Sequence, residues 1–277
     1  MRLSQSVVAA LTAVAVLLFG TAAHAGAWTQ AEGDYYAKVW ARAMAGSAGF
    51  FADGEVRELE VDFRDLSANL YTEYGVTDAI TVSFNTTPFG NVKVGDTSQN
   101  YVGEQGFGVR YGLLRGAVPV AVEGRYGYAP GVGRKAVGAG IVDDMPWFYA
   151  ATTATQSFNL SAHVGYGGSV GWVNLGFGAK GYTQDGRDPA LEGVLNTGTS
   201  FGSVALGLSL FYHEPLGDVE VNAIAGSGQT RYLGIVLGGT WWVTEAVGVG
   251  IGAEGVAFAA ANAAAPVFTL SVEIKSP

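Results

Sequence analysis

Period-two alternation, sustained over segments longer than a soluble strand, is what most constrains this chain. From Phe158 to Tyr166, Phe158, Leu160, Ala162, Val164 and Tyr166 share one face and Asn159, Ser161, His163 and Gly165 the other, because successive side chains of a strand point to opposite sides. Val204 to Tyr212 reads the same way. So does Val267 to Lys275, where Phe268, Leu270, Val272 and Ile274 oppose Thr269, Ser271, Glu273 and Lys275. About twelve such segments start near residues 34, 62, 79, 104, 117, 155, 170, 201, 218, 230, 246 and 266. Most run for about nine to thirteen residues, against roughly five or six in an ordinary sheet. A tilted strand needs about 9–11 to cross a bilayer.

The connections sort into two kinds. Short turns are expected at Gly75–Asp78, Gly112–Gly116, Gly167–Ser169, His213–Asp218 and Val243–Glu245. Longer loops are expected at Gly46–Val61, Pro88–Gly103, Ala129–Ala154, Thr183–Ser200 and Ala259–Ala265. One connection, Gly226–Gln229, breaks the order. Short turns on one rim and long loops on the other is the habit of outer-membrane barrels. An aromatic precedes each short turn: Tyr74, Tyr111, Tyr166, Tyr212 and Trp242. Such rings suit a membrane–water interface, apolar in the body and wet at the tip. At the last turn either Trp241 or Trp242 could be the interfacial ring, since that strand is apolar on both faces.

A secreted β-sandwich or lipocalin-like barrel also alternates, but it is soluble through a charged outer face. Here only 14% of residues are charged, mean hydropathy is +0.24, and polar faces are thin, as where Gly248, Gly250, Gly252 and Glu254 oppose Val247, Val249, Ile251 and Ala253. The apolar face therefore belongs to lipid. The expected fold is all-β, a transmembrane antiparallel up-and-down barrel of about 12 strands. With 49% apolar residues and 42 glycines in no three-residue period, the chain is neither disordered nor collagen-like. A net charge of −9 without a Lys/Arg cluster excludes a nucleic-acid partner. Zero cysteines exclude a disulfide framework and thiolate zinc sites.

Arg2, the apolar run Val7 to Phe19 and Ala23-His24-Ala25 read as the charged, apolar and cleavage regions of a signal peptide. The run is too short to span as a helix. The domain reading is a leader over 1–25 and an outer-membrane β-barrel over 26–277.

Two stretches, GAWTQAEGDYYAKVWARAM and LSANLYTEYGVTDAITVSFNTTPFG, resemble the outer-membrane transporters grouped with the meta-pathway phenol-degradation proteins. Those proteins open with Trp-Thr-x-x-x-Gly-x-x-Tyr and follow with Tyr-x-Glu-Tyr-Gly-Leu-Thr-Asp. The matching positions are Trp28, Thr29, Gly33, Tyr36, Tyr71, Glu73, Tyr74, Gly75, Thr77 and Asp78, with Val76 for the leucine. The match covers roughly the first third of the mature chain. The resemblance implies a bacterial outer-membrane barrel passing small, hydrophobic or aromatic molecules.

Parity puts Lys38, Arg42, Asp65, Asn69, Glu73, Arg110, Glu123, Arg125, His163, Lys180, Glu220 and Glu254 on the lumen side. They are a selectivity lining or mutually neutralising pairs that brace a narrow barrel. The longest loop carries Arg134, Lys135, Asp143, Asp144 and Trp147; it folds inward as a gate or stays an outer loop. Ser161 and His163 lie two apart on one face, but twelve-stranded outer-membrane lipases carry such a pair at the lipid, and here it faces the lumen. No enzyme, cofactor or metal site is expected. The expected partners are membrane lipid, a small-molecule solute and the outer-membrane assembly machinery. The functional reading is a passive outer-membrane channel, with a closed structural or surface-interaction barrel as the alternative.

Overall fold

The structure is a computed structural model that describes residues 26–131, 136–150, 155–169, 171–183, 187–219, 223–225 and 229–277. Twelve long strands form the barrel: β1 (Tyr35–Phe50), β2 (Val56–Thr77), β3 (Ile80–Val94), β4 (Gln105–Leu114), β5 (Val120–Ala129), β6 (Thr155–Gly168), β7 (Gly171–Tyr182), β8 (Ala190–Phe201), β9 (Val204–Pro215), β10 (Arg231–Trp242), β11 (Val247–Ala260) and β12 (Val267–Lys275). Each pairs antiparallel with its neighbours in sequence, and β12 pairs with β1 through Val39↔Val272 and Lys38↔Glu273. That closure leaves the barrel wall no free edge, which is what lipid demands of a sheet.

Burial is inverted relative to a soluble barrel. Leu160 and Ile251 are each 69% exposed and Phe268 61%, whereas Arg110 is 5% and Glu123 4% exposed. The greasy rows face outward and the charged rows inward. Trp241 takes the interfacial place, exposed on the outer face, while Trp242 turns inward beneath the Lys275 ammonium, 4.2 Å from its ring.

One expected strand is misplaced. No barrel strand starts at 218 among the described residues; β8 occupies Ala190–Phe201, inside the expected Thr183–Ser200 loop. Its outward row carries Leu191, Gly193, Leu195, Thr197 and Thr199 and its lumen row Val194, so it lacks the contrast that reveals most others. The expected His213–Asp218 turn is instead the end of β9 and the start of a long connection, residues 216–230, that contains Gly226–Gln229. Gly202 and Ser203 form the short turn between β8 and β9. Tyr212 accordingly sits near the long-loop rim, and Phe201, 40% exposed, is the aromatic before the short turn. The expected Gly46–Val61 loop is also shorter than read, since β1 and β2 run on through it and leave only residues 51–55, no more than the turn at 115–119; residues 226–228 lie outside the described residues.

β1, β2 and β3 are the wall's tall side. On β2 the outward row changes from Glu58, Glu60, Asp62 and Arg64 to Leu66, Ala68, Leu70 and Tyr74. Charge at the bilayer midplane of such a barrel costs about 2–4 kcal/mol, so the change at Leu66 marks where the strand leaves lipid for water. The projecting half carries a small second sheet, the hairpin Ala136–Val142 with Met145–Ala150 plus Ala223–Ala225.

Candidate functional site: the barrel lumen

Inward rows from all around the barrel enclose a cavity of about 1780 Å³. It touches Tyr35, Gly202 and Lys275 at the short-turn rim and Met44, Asn262 and Ala265 toward the other. Lys38, Arg42, Glu73, Arg110, Glu123, Arg125, His163, Lys180 and Glu254 line it. Asp65 and Asn69 belong to the same inward row of β2: Asp65 accepts from the Tyr101 hydroxyl at 2.8 Å, and Asn69 accepts from Thr87 at 2.7 Å. Glu220 lies outside the described residues.

The charges are paired. Arg110 sits between Glu73 at 3.0 Å and Glu123 at 2.9 Å, and Arg125 reaches Glu123 at 3.4 Å and Asn85 at 2.7 Å. Guanidinium forks suit such sharing, because five donors lie in one plane. Two strands along the wall, Glu273 of β12 accepts from Tyr36 and Thr240 at 3.0 Å each and pairs with Lys38 at 3.0 Å. Higher up, Arg42 lies 3.9 Å from Asp65 and 3.8 Å from Glu254. Lys180 lies 3.8 Å from Glu104. Glu192 accepts from Asn159 at 2.6 Å and faces His213 at 3.2 Å. Glu192 was hidden because its strand was read as a loop; Glu273 was visible as an inward residue of β12, but only the pairing makes it a hub.

At the short-turn rim, residues 26–34 form a strap inside the wall. Gly33 donates its N–H to Gly75 O at 2.9 Å, Thr29 Oγ1 donates to Asp78 O at 2.7 Å, and Gln30 donates to Glu73 at 2.6 Å. The Trp28 carbonyl accepts from Arg110 at 3.0 Å. A Cβ at Gly75 would fall 1.9 Å from Ala31 O, and one at Gly165 2.7 Å from the Trp28 ring. Glycine is what lets the strap lie flat on β2 and β6. The Trp28 ring then meets Trp172 of β7 edge-on at 6.3 Å. The two stretches that carried the family resemblance thus touch: Thr29 with Asp78, Gly33 with Gly75, and Tyr36 with Tyr71 at 6.3 Å between rings. The strap itself was not legible from alternation, since it forms no strand.

At the long-loop rim the described part of the longest loop, residues 136–150, is a hairpin packed on the wall's tall side, the lid. Asp143 and Asp144, with φ of 51° and 63°, make its two-residue turn, where positive φ matches the twist of a hairpin. Trp147 and Tyr149 are buried with Phe51, Leu59, Phe63, Val92 and Val94. The rings of Phe63 and Tyr149 lie 5.3 Å apart, and Trp147 Nε1 donates to Glu60 at 3.0 Å. Asp143 reaches Arg57 at 3.4 Å. Met44, Ala263 and Val267 belong both to this core and to the cavity lining, so the lid core forms part of the lumen ceiling. Arg134 and Lys135 lie outside the described residues. Outside the lipid band, hydrogen bonding to Arg57 holds the Asp53 carboxyl below the usual carboxylate range, and the Glu32 backbone N–H does the same for Asp78.

Ser161 Oγ lies 3.0 Å from His163 Nε2, but His163 Nδ1 has no hydrogen-bond partner. The third group that orients the base in a nucleophilic triad is missing from the pair. No cluster of three His, Cys, Asp or Glu able to hold a metal occurs among the described residues.

No family model and no curated protein sequence matches the chain. Solved structures do. The COG4313 outer membrane channel from Pseudomonas putida F1 superimposes with a TM-score of 0.66 at 12% identity, over 92% of this chain and 99% of that one. The KdgM porin in complex with disordered oligogalacturonate gives 0.49 at 6%, over 87% and 99%. The CymD monoaromatic hydrocarbon channel gives 0.44 at 10%, over 89% of each chain. At such identity the first likeness speaks for the fold: an all-β, closed, twelve-stranded barrel of the outer-membrane type.

Proposed function

We propose that the protein is an outer-membrane channel through which small solutes, apolar or aromatic ones foremost, diffuse passively. The observation that carries this reading is a cavity of about 1780 Å³ inside a closed barrel whose outer face is apolar. On this reading the leader 1–25 exports the chain, the assembly machinery inserts it, and the short-turn rim faces the periplasm, as in barrels of this kind.

The substrate class follows from the wall. Val194, Tyr232, Val236 and Trp242 present apolar surface to the lumen from β8 and β10, opposite the paired charges of β2, β4 and β5. Because most lumen charges are neutralised in place, the wall offers a weak field and a contact surface for rings, which suits a neutral solute more than an ion. Purified, folded protein in planar bilayers or swelling liposomes is expected to pass small neutral solutes; absence of any permeation would overturn the channel.

The lid and strap favour a second reading, a closed structural barrel. Deleting residues 133–147 separates the two. A gated channel gains conductance, whereas a structural barrel shows none before or after.

A further inference from the structure

Asn174 is 0% exposed on β7, and neither its Nδ2 nor its Oδ1 has a hydrogen-bond partner. A buried amide left so is costly, and native structures rarely leave one without reason. Against it lies Gly26, the first residue of the strap. Its φ is +76°, and a Cβ there would fall 2.2 Å from Asn174 Nδ2 and 2.5 Å from Oδ1. Only glycine brings its backbone this close. Both residues border the lumen cavity, and Gly26 is half-buried.

Gly26 is also the residue that follows the expected leader cleavage site. We propose that Asn174 is the receptor for the α-ammonium group created when a leader peptidase cuts between Ala25 and Gly26, and that this bond latches the end of the strap to the inner wall. Cleavage consumes one water, leaves a carboxylate on Ala25 and an amine on Gly26, and that amine takes a proton near neutral pH, its ordinary pKa being about 7.7–8.0. The peptide nitrogen before cleavage has one N–H and a chain attached. Afterwards it is an ammonium with three donors, one of which can satisfy Asn174 Oδ1, while the remaining donors and the Asn174 Nδ2 donors, which an ammonium cannot accept from, are left to water of the adjoining cavity. An amide suits this role because it accepts from the cation without placing a second full charge in the wall.

The latch completes the strap. Residues 28–33 are already tied to β2, β3 and β4 by Thr29, Gln30, Gly33 and the Trp28 carbonyl. A free terminus beyond them would fray. Fixing Gly26 on β7 carries the strap from β2 along the wall to the far side of the β6 hairpin, so that processing of the leader and docking of the strap become one event. The inference rests on the cleavage site read from the sequence and does not require that solutes pass.

The test is amine acylation of the mature, folded barrel in detergent at neutral pH, where lysines stay protonated, with modification at Gly26 followed by mass spectrometry of the N-terminal peptide. Docking predicts labelling slower than in the unfolded chain by about tenfold or more, as expected when reaction needs a local opening. Asn174→Leu and Gly26→Val should approach the unfolded rate. So should a chain with two glutamines inserted between Ala25 and Gly26, which creates no second small-residue cleavage site and moves the ammonium away while leaving Asn174 intact. Folding of each variant is checked by heat-modifiability on gels; if Asn174→Leu fails to fold, the insertion decides. The proposal is overturned if the mature chain begins elsewhere than at Gly26, if folded wild type labels at the unfolded rate, or if the variants stay protected. Because the readout is chemical, a barrel that conducts nothing can still pass this test.

Discussion

At each end of the barrel a segment of chain packs against the inner wall, the lid and the strap, and the two are held by different physics. The lid is a miniature soluble core: Trp147, Tyr149, Phe63, Leu59 and Val92 exclude water from one another, and fully burying such a side chain contributes about 1.5–3 kcal/mol. The strap buries little apolar surface beyond Trp28 and is fixed by hydrogen bonds from Thr29, Gln30, Gly33 and Arg110, each with a net contribution of about 0.5–1.5 kcal/mol. A hydrophobic lid should come away as a unit or not at all. A hydrogen-bonded strap can be loosened bond by bond, and this makes it the more readily adjusted of the two.

Arg110 is where strap and wall share one residue, so its loss should have the largest effect. Arg110→Met leaves Glu73 and Glu123 facing each other in the wall and frees the Trp28 carbonyl. Breaking a buried pair by removing one partner costs about 3–5 kcal/mol. The expected outcome is a lower urea midpoint for the barrel in vesicles, followed by tryptophan fluorescence, together with raised conductance. Trp147→Ala should act on the other end alone. Truncating a core tryptophan costs about 3–5 kcal/mol, here charged to lid docking: proteolytic nicking within 136–150 should rise while the barrel's urea midpoint stays put. If Trp147→Ala lowers the barrel midpoint as much as Arg110→Met, the division into independent segments is wrong.

These two ends also differ in how far the sequence announces them. The wall was legible because lipid outside and a polar lumen inside force strands into period two, and eleven of the twelve were found from it, β10 despite apolar residues on both faces. β8 escaped because its outward row reads Leu191, Gly193, Leu195, Thr197 and Thr199, apolar at two of five positions, while its inward row holds Val194. Inward parity likewise located Arg110, Glu123 and Arg125, because a single residue of register moves a whole row. The lid's hairpin, with Asp143-Asp144 at its turn, carries a strand pattern only over Ala136–Val142, too short to stand out. The strap had no periodicity at all: its positions are fixed by glycines of other strands, Gly75 and Gly165, that leave room for it.

Smaller effects should sharpen the contrast at the strap. Thr29→Val removes the bond to Asp78 O, and Gln30→Ala removes the one to Glu73. Each should weaken strap docking by about 1 kcal/mol, and the double variant should lose roughly the sum if the two neighbouring bonds act as independent anchors. Single-channel recordings are expected to show more frequent openings in each variant and more again in the double, with unchanged lid proteolysis. Equal openings in single and double variants would mean that the strap leaves cooperatively, as the lid is expected to.

The smallest effect is acid. Asp78 accepts from the Glu32 N–H at 3.0 Å and Asp53 from Arg57 at 2.9 Å, and both carboxyls are held below their usual range. A carboxyl lowered on folding contributes stability that is fully present above its unfolded pKa, about 3.9, and is lost as pH falls through the folded value. Both segments should therefore be unaffected between pH 7 and about 5 and loosen only below about pH 4. Both groups are exposed and screened, so the change is small. The ends still separate, because Asp53 supports Arg57 and its own turn through the Glu55 N–H at the lid's edge, while Asp78 holds the strap directly. Conductance should therefore rise on acidification before lid proteolysis does, and Asp78→Asn, which keeps an acceptor oxygen but cannot titrate, should flatten the conductance rise alone.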